Sequence, residues 1–355
     1  MNRNLRDPDA LCDYVHSHIT DYGMYYILLD EVQFVSEFED VLNSFLHISN
    51  ADVYVTGSNA RFLSKDIITE FRGRGDEIRI FPLSFREFLP AFNGSRERAL
   101  DEYMLYGGLP QILSFMAPEQ KVGYLKNLFT ETYITDIKDR YRIQRDEEME
   151  ELINIISSSI GSLTNPNKLV NTFKSVKNVR IDQATVKSYL DYLCDSFLVE
   201  RAMRYDVKGH HYIDTPSKYY FTDLGLRNAR LNFRQDERTH LMENLIYNEL
   251  RIRGFNVDVG IVPVTYTDVN GIRRKTQLEI DFVCNLGSRR YYVQSAYHIG
   301  SDEKRQQEQA SLVKVGDSFK KIVVVGDDIA LHRNEQGITT MGLTDFLADV
   351  NSLDL

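Results

Sequence analysis

Apolar positions along the chain follow two different periods. Tyr25–Leu29, Val53–Thr56 and Ile78–Phe81 are short runs rich in apolar residues and bounded by polar ones. That is the pattern of strands buried on both faces of a parallel sheet. Between the first two, Phe38, Val41, Leu42, Phe45 and Leu46 recur at helical spacing. Residues 8–20 also read as a helix, with Asp7 or Asp9 placed to cap it. Strand, helix, strand at this spacing predicts an α/β unit. From Pro82 to about Arg145 the chain reads as mostly helical and aromatic, broken at Gly107-Gly108. Helices are expected near 147–160, 166–176 and 182–195, then strands at Phe197–Tyr205 and Lys218–Phe221. Beyond residue 236 the α/β pattern returns. It predicts a helix over 237–253 and strands near 256–266, 276–285, 290–296 and Lys321–Val325. No internal repeat or low-complexity tract interrupts these elements.

A length of 355 residues exceeds one ordinary core. The elements divide it into residues 1–95, a helical connector 96–146, a smaller unit 147–230 and a second α/β unit 231–355. No apolar run approaches the ~18 residues that cross a bilayer, and the first residues lack the apolar core of a signal peptide. Cys12, Cys194 and Cys284 are odd in number and far apart. They suit a reduced, cytoplasmic setting better than a disulfide framework or a zinc site. A net charge of −10 excludes a wholly basic nucleic-acid footprint and leaves room for a local basic stripe.

The chemistry begins at the end of the first strand, where YYILLDEVQ places Asp30 and Glu31. In nucleotide-binding sheets, carboxylates at a strand's C-terminal tip meet the ligand. One holds Mg²⁺ and the other polarises the attacking water in the Walker B arrangement. The plainer alternative is that Asp-Glu caps the following helix. The next strand, VYVTGSN, ends in Ser58 and Asn59, where a sensor side chain would contact a γ-phosphate. FRGRGDEIRIF then supplies Arg72 and Arg74, either of which could stabilise phosphoryl charge or simply be solvated.

LLDEVQ, VYVTGSNARFLS and IRIFPLSFREFL, followed in order by TYITDIKDR, KYYFTDLGLRNA, ENLIYNELRIRGFNVDVG and LEIDFVCN, resemble the bacterial AAA-like P-loop ATPases with a C-terminal domain of unknown function. The resemblance covers nearly the whole chain. It implies a partial P-loop ATPase sheet, a helical and winged-helix middle and a restriction-endonuclease-like C-terminal α/β domain. The Walker A loop, G-x-x-x-x-G-K-[ST], cradles phosphates with backbone amides and a lysine. Here it is absent, because no Gly-Lys dipeptide occurs in the chain. The resemblance places that loop upstream of Asn4–Tyr14, so the chain reads as N-terminally truncated. ATP and Mg²⁺ belong to the intact family. For this chain alone the expectation is no tightly bound cofactor, no metal and no autonomous ATP hydrolysis.

In the middle unit, Asp182 is placed to cap a helix whose buried stripe is Val186, Tyr189, Leu190 and Leu193. Its outer face offers Gln183 and Lys187 but also Asp191 and Asp195, so packing is a better reading than base readout. Lys138, Arg140, Arg142 and Arg145, beside Tyr141, are stronger phosphate-contact candidates, against a solvated helical face.

The endonuclease-like resemblance implies an acid on the second strand and Glu-x-Lys on the third, which hold Mg²⁺ and assist water. LEIDFV supplies Asp281, with Glu279 expected on the same face. Glu243 on the preceding helix matches an auxiliary acid. In YYVQSAY, Gln294 stands where the acid belongs and Ala296 where the lysine belongs. The domain is therefore expected to be a non-cleaving scaffold.

The chain so reads as a regulatory or interaction protein. One alternative is an ATPase completed by a phosphate loop supplied upstream or in trans, and another is a DNA-binding protein. A protein partner or homodimer is expected, and no membrane. With the phosphate-loop strand missing, Ile78–Phe81 is expected to pair directly with Val53–Thr56, or a dimer contact to cover the edge.

Overall fold

The computed structural model describes residues 3–57, 75–177, 180–234 and 237–355. The architecture is mixed α/β, and the chain divides into two compact units.

The first unit comprises residues 1–80 and 193–197. Helix α1 (Pro8–His18) starts where Asp7 accepts a hydrogen bond from the Ala10 amide, the cap its sequence implied. Strands β1 (Tyr25–Leu29) and β2 (Ala51–Val55) flank α2 (Phe38–Phe45). They pair in parallel with Leu29 opposite Val55, so both C-terminal tips lie side by side. Leu11, Val15, Ile27, Val32, Phe38, Val41, Leu42 and Phe45 form one core against this pair.

Two expectations fail here. The strands are buried on one face only: Tyr26, Leu28 and Tyr54 are 64%, 74% and 50% exposed. Residues 76–80 form no strand, and Ile78 and Ile80 are exposed. Direct pairing of Ile78–Phe81 with β2 is therefore not what the chain does. Alternating isoleucines give a segment strand character. A strand still needs a ladder partner, and none of the described residues offers one.

In the second unit, α3 (Phe85–Phe88), α4 (Arg96–Tyr106), α5 (Pro118–Asn127) and α6 (Thr135–Tyr141) make up the helical stretch. They lead into α7 (Asp146–Ser158), α8 (Pro166–Lys177) and α9 (Gln183–Asp195). Asp182 caps α9 through the Thr185 amide, and Val186, Tyr189 and Leu190 are buried as their spacing required.

A hairpin of β3 (Val199–Asp206) and β4 (His211–Phe221) follows, then α10 (Leu224–Arg230) and α11 (Arg238–Ile252). The remaining elements are β5 (Asn256–Thr267), β6 (Arg273–Leu286), β7 (Arg289–Ala296), α12 (Asp302–Lys314), β8 (Lys320–Val325), β9 (His332–Arg333), β10 (Ile338–Gly342) and α13 (Leu343–Ala348).

The hairpin does not stand apart as a wing. β3 pairs in parallel with β5, giving one eight-stranded sheet in the order β4-β3-β5-β6-β7-β8-β10-β9. An apolar hairpin edge would otherwise expose unpaired backbone groups, and joining the sheet satisfies them. Strands on either side of residue 230 thus belong to one sheet. Helices cover both faces of the sheet. Phe282 meets Tyr247 of α11, while its neighbour Val283 packs in a cluster with Leu312 of α12.

Candidate functional site

At the tip of β1, Asp30 is satisfied from the neighbouring strand. The Thr56 hydroxyl donates to Asp30 Oδ1 at 2.5 Å, and the Glu31 amide donates to Thr56 Oγ1 at 3.0 Å. Glu31 adopts a left-handed backbone conformation (φ 52°), and its carboxylate accepts from the Gln33 side-chain amide. It makes no side-chain cap to the turn at Val32–Phe34. Two carboxylates therefore stand at the C-terminal edge of a parallel pair, as the sequence placed them. No lysine occurs among the described residues 3–57 of this unit. Ser58, Asn59, Arg72 and Arg74 lie outside the described residues.

The second constellation is buried in the large sheet. The β5–β6 register runs Asp258 opposite Val283 but Gly260 opposite Ile280. Asp281 and Phe282 therefore share one partner, Val259, in a bulge that re-aims side chains. Asp281 joins Glu279 of the same strand and Glu243 of α11. Lys218 of β4 is the cation among them. Its Nζ lies 2.8 Å from Glu243 Oε1, 2.8 Å from Glu279 Oε1 and 3.6 Å from Asp281 Oδ1.

The Lys218 side chain is only 4% exposed, and Glu279, at 34%, is the most open member. Tyr220 donates to Glu243 at 2.7 Å, and the Ser295 amide donates to Asp281 at 2.8 Å. Gly161 (φ +69°) lies so close that a Cβ there would sit 3.1 Å from the Glu243 carboxyl. Burial opposes the Lys218 charge, but Glu243, Asp281 and Glu279 outweigh it and raise its pKa. Burial, then the charge of Glu243, pushes Asp281 up to about 7, against the pull of Lys218. Three carboxylates thus share one ammonium, and Asp281 is the one whose burial favours its protonated form.

The two positions expected on β7 do something else. Gln294 accepts a 3.3 Å hydrogen bond from the Asp281 amide, and Ala296 belongs to the apolar cluster with Leu312. Lys218 was missed as a site residue, although KYYFTDLGLRNA contains it. It lies far from LEIDFV in sequence, and only the β4-β3-β5-β6 order brings it there.

The rest of that segment is a structural hub. Asp223 caps α10 through the Leu226 amide and also accepts from the Gly108 amide at 2.8 Å. Burial pushes its carboxyl up to about 6 despite those donors. Arg227 donates to the Ser157 carbonyl, and Asn228 to the carbonyls of Met104 and Leu105. The Gly107-Gly108 break is explained by the same contact: a Cβ on Gly107 would lie 2.2 Å from the Asp223 carboxylate. A cavity of about 20 Å³ beside Asp223 has room for little more than a water molecule.

The basic stretch 138–145 is partly neutralised. Lys138 pairs with Glu150 and Asp146, and Arg140 with Asp136. Arg142 and Arg145 are exposed. Gln183 and Lys187 are exposed beside Asp191. Among the described residues no helix is long and apolar enough to cross a membrane.

Comparison with known proteins bears on the first unit and on the whole chain. Residues 1–89 match the family described as "AAA domain", and residues 97–237 match a "Domain of unknown function (DUF8612)". An uncharacterized protein of Haemophilus influenzae is 34% identical over 307 residues, covering 85% of this chain and 72% of that protein. The chain belongs to this family of AAA-domain proteins. Another similar protein, from Methanocaldococcus jannaschii and also uncharacterized, is 28% identical over 298 residues, covering 80% of this chain and 64% of its own length. A Vibrio cholerae protein of known crystal structure aligns with 99% of this chain and 80% of its own at 10% identity. Its TM-score of 0.25 carries no argument. Asp30 and Glu31 lie within the residues that match the AAA domain. Family membership leaves the role of the Lys218 cluster open.

Proposed function

We propose that this chain is a regulatory or interaction member of the AAA-domain family that does not hydrolyse ATP by itself. The observation that carries this reading is the state of the acidic strand tip. Asp30 is held by Thr56 and Glu31 by Gln33, in a chain with no G-x-x-x-x-G-K element. Carboxylates can hold Mg²⁺ only once a triphosphate is positioned beside them, and the amide cradle supplies that positioning. Isothermal calorimetry with MgATP on the full chain tests it. No heat of binding and no phosphate release are expected. Micromolar binding lost in Asp30→Ala would overturn the reading.

The same proposal extends to the C-terminal sheet as a non-cleaving scaffold. The Lys218 ammonium sits among Glu243, Glu279 and Asp281, where a hard cation would have to sit at oxygen distances of about 2.0–2.1 Å. Two cations do not share that space. Incubation with supercoiled plasmid and Mg²⁺ or Mn²⁺ should leave the DNA intact. Cleavage abolished by Asp281→Ala would refute the scaffold role.

A further inference from the structure

The long β5–β6 hairpin carries a run of basic side chains. In its register Thr267 faces Arg273, Thr265 faces Lys275, Pro263 faces Gln277 and Ile261 faces Glu279. Alternation along β6 therefore puts Arg273, Lys275 and Gln277 on the face of Glu279. Arg204 of β3 reaches the same face by donating to Gln277 Oε1 at 2.9 Å. Lys208, in the turn after β3, donates to the Pro263 carbonyl.

Among the described residues Arg204, Lys208, Arg273 and Lys275 have no carboxylate within ion-pair distance, whereas Arg274 is paired with Asp268 at 2.9 Å. The acid nearest in register, Asp206, is occupied by the amides of Lys208 and Gly209. Beyond Gln277 the carboxylates of Glu279 and Asp281 are masked by Lys218.

We propose that this face of the β5–β6 hairpin, with Arg204, Lys208, Arg273 and Lys275, is an interface for the phosphate backbone of nucleic acid. Charge complementarity identifies the occupant: unpaired cations on a chain of net charge −10 select a polyanion over an acidic protein surface as a whole. Shape narrows it further. Cations on alternate residues of a strand are spaced by about 6.8 Å, and the row from Arg273 to Gln277 runs about 14 Å along β6. An anionic lipid surface would act mainly on the hairpin tip, where Val269 and Ile272 are exposed, and would fade over a Debye length of about 8–10 Å. A strand of phosphates laid along β6 meets Arg273 and Lys275, with Arg204 reaching its end through Gln277. The flanking hydroxyls of Thr265 and Thr267 add neutral donors to the same row. This surface does not depend on the reading of the AAA domain and differs from residues 138–145 and from the exposed face of α9.

The test is fluorescence anisotropy of the full chain with a short labelled DNA duplex and its single strand, between about 50 and 200 mM salt. Salt-dependent binding is expected. Arg273→Glu with Lys275→Glu should weaken it about tenfold or more, and Arg273→Gln with Lys275→Gln less. Loss of two phosphate contacts should flatten the log–log salt slope by about 1.4–1.8. Lys187→Glu with Lys314→Glu, reversing charges elsewhere, should change little. Absence of binding to both DNAs at about 50 mM salt would overturn the proposal. So would equal loss in the control pair, or binding to phosphatidylserine vesicles with none to DNA. Unchanged thermal unfolding of the neutral pair shows that a loss is not misfolding.

Discussion

YYILL at Tyr25–Leu29 and IVVV at Ile322–Val325 look alike as sequence, yet the two strands meet different environments. Ile322, Val323 and Val324 are fully buried, because β8 lies between β7 and β10 in a sheet covered by helices on both faces. Tyr26 and Leu28 are exposed, because β1 has one described ladder partner and a core on one face only. The same contrast separates the two acidic constellations. Asp30 is exposed at the edge of a small sheet and is satisfied by a hydroxyl. Glu243 and Asp281 are buried in the large sheet and need an ammonium. A carboxylate's meaning depends on how much water its surroundings exclude.

That contrast can be broken most directly at Lys218. Lys218→Met leaves buried carboxylates without their cation and should cost about 3–5 kcal/mol, read as a lower urea midpoint. Adding Glu243→Gln should recover part of the loss, and additive losses would mean that the two do not interact.

The next effect tests whether the hub at Asp223 is as tightly built. A Cβ on Gly225 would lie 2.0 Å from the Tyr106 carbonyl. Gly225→Ala should therefore cost about 1–3 kcal/mol or more, whereas a cost near zero would show that the segment relaxes freely.

Acidity sharpens the comparison. Asp281 at about 7 and Asp223 at about 6 hold their protons in the fold above the ordinary carboxyl value of 3.8. Their contribution is fully present below 3.8 and is lost as pH rises through about 6 and then about 7. Wild-type stability, measured relative to Asp281→Asn, should fall across that window. A flat difference would show that Asp281 is not buried beside Glu243. Smallest of all, Asp30→Ala should lower stability by no more than about 1 kcal/mol, since the Thr56 hydroxyl can turn to water.

Much of the fold was legible because the signals were local. The Asp7 and Asp182 caps, the buried stripe of α9 and the strands of the second α/β unit all appear where their spacing required. Glu279 and Asp281 converge on one ammonium, consistent with their expected shared face. The segment at Ile78–Phe81 misled because alternation reports a potential strand and not a partner for it.

The sequence by itself determined most of the helices and the strands from β5 to β8, that Asp30 and Glu31 end a strand, and that no Gly-Lys phosphate loop lies within the chain. Those facts depend on neighbours a few residues away. Only the tertiary structure decided that β3 and β4 join the C-terminal sheet and that a bulge lets Asp281 and Phe282 share one partner. It also decided that Lys218, rather than residue 296, supplies the ammonium. Strand order and register set those outcomes. They depend on which backbone edges pair across long stretches of chain, a property no local pattern contains.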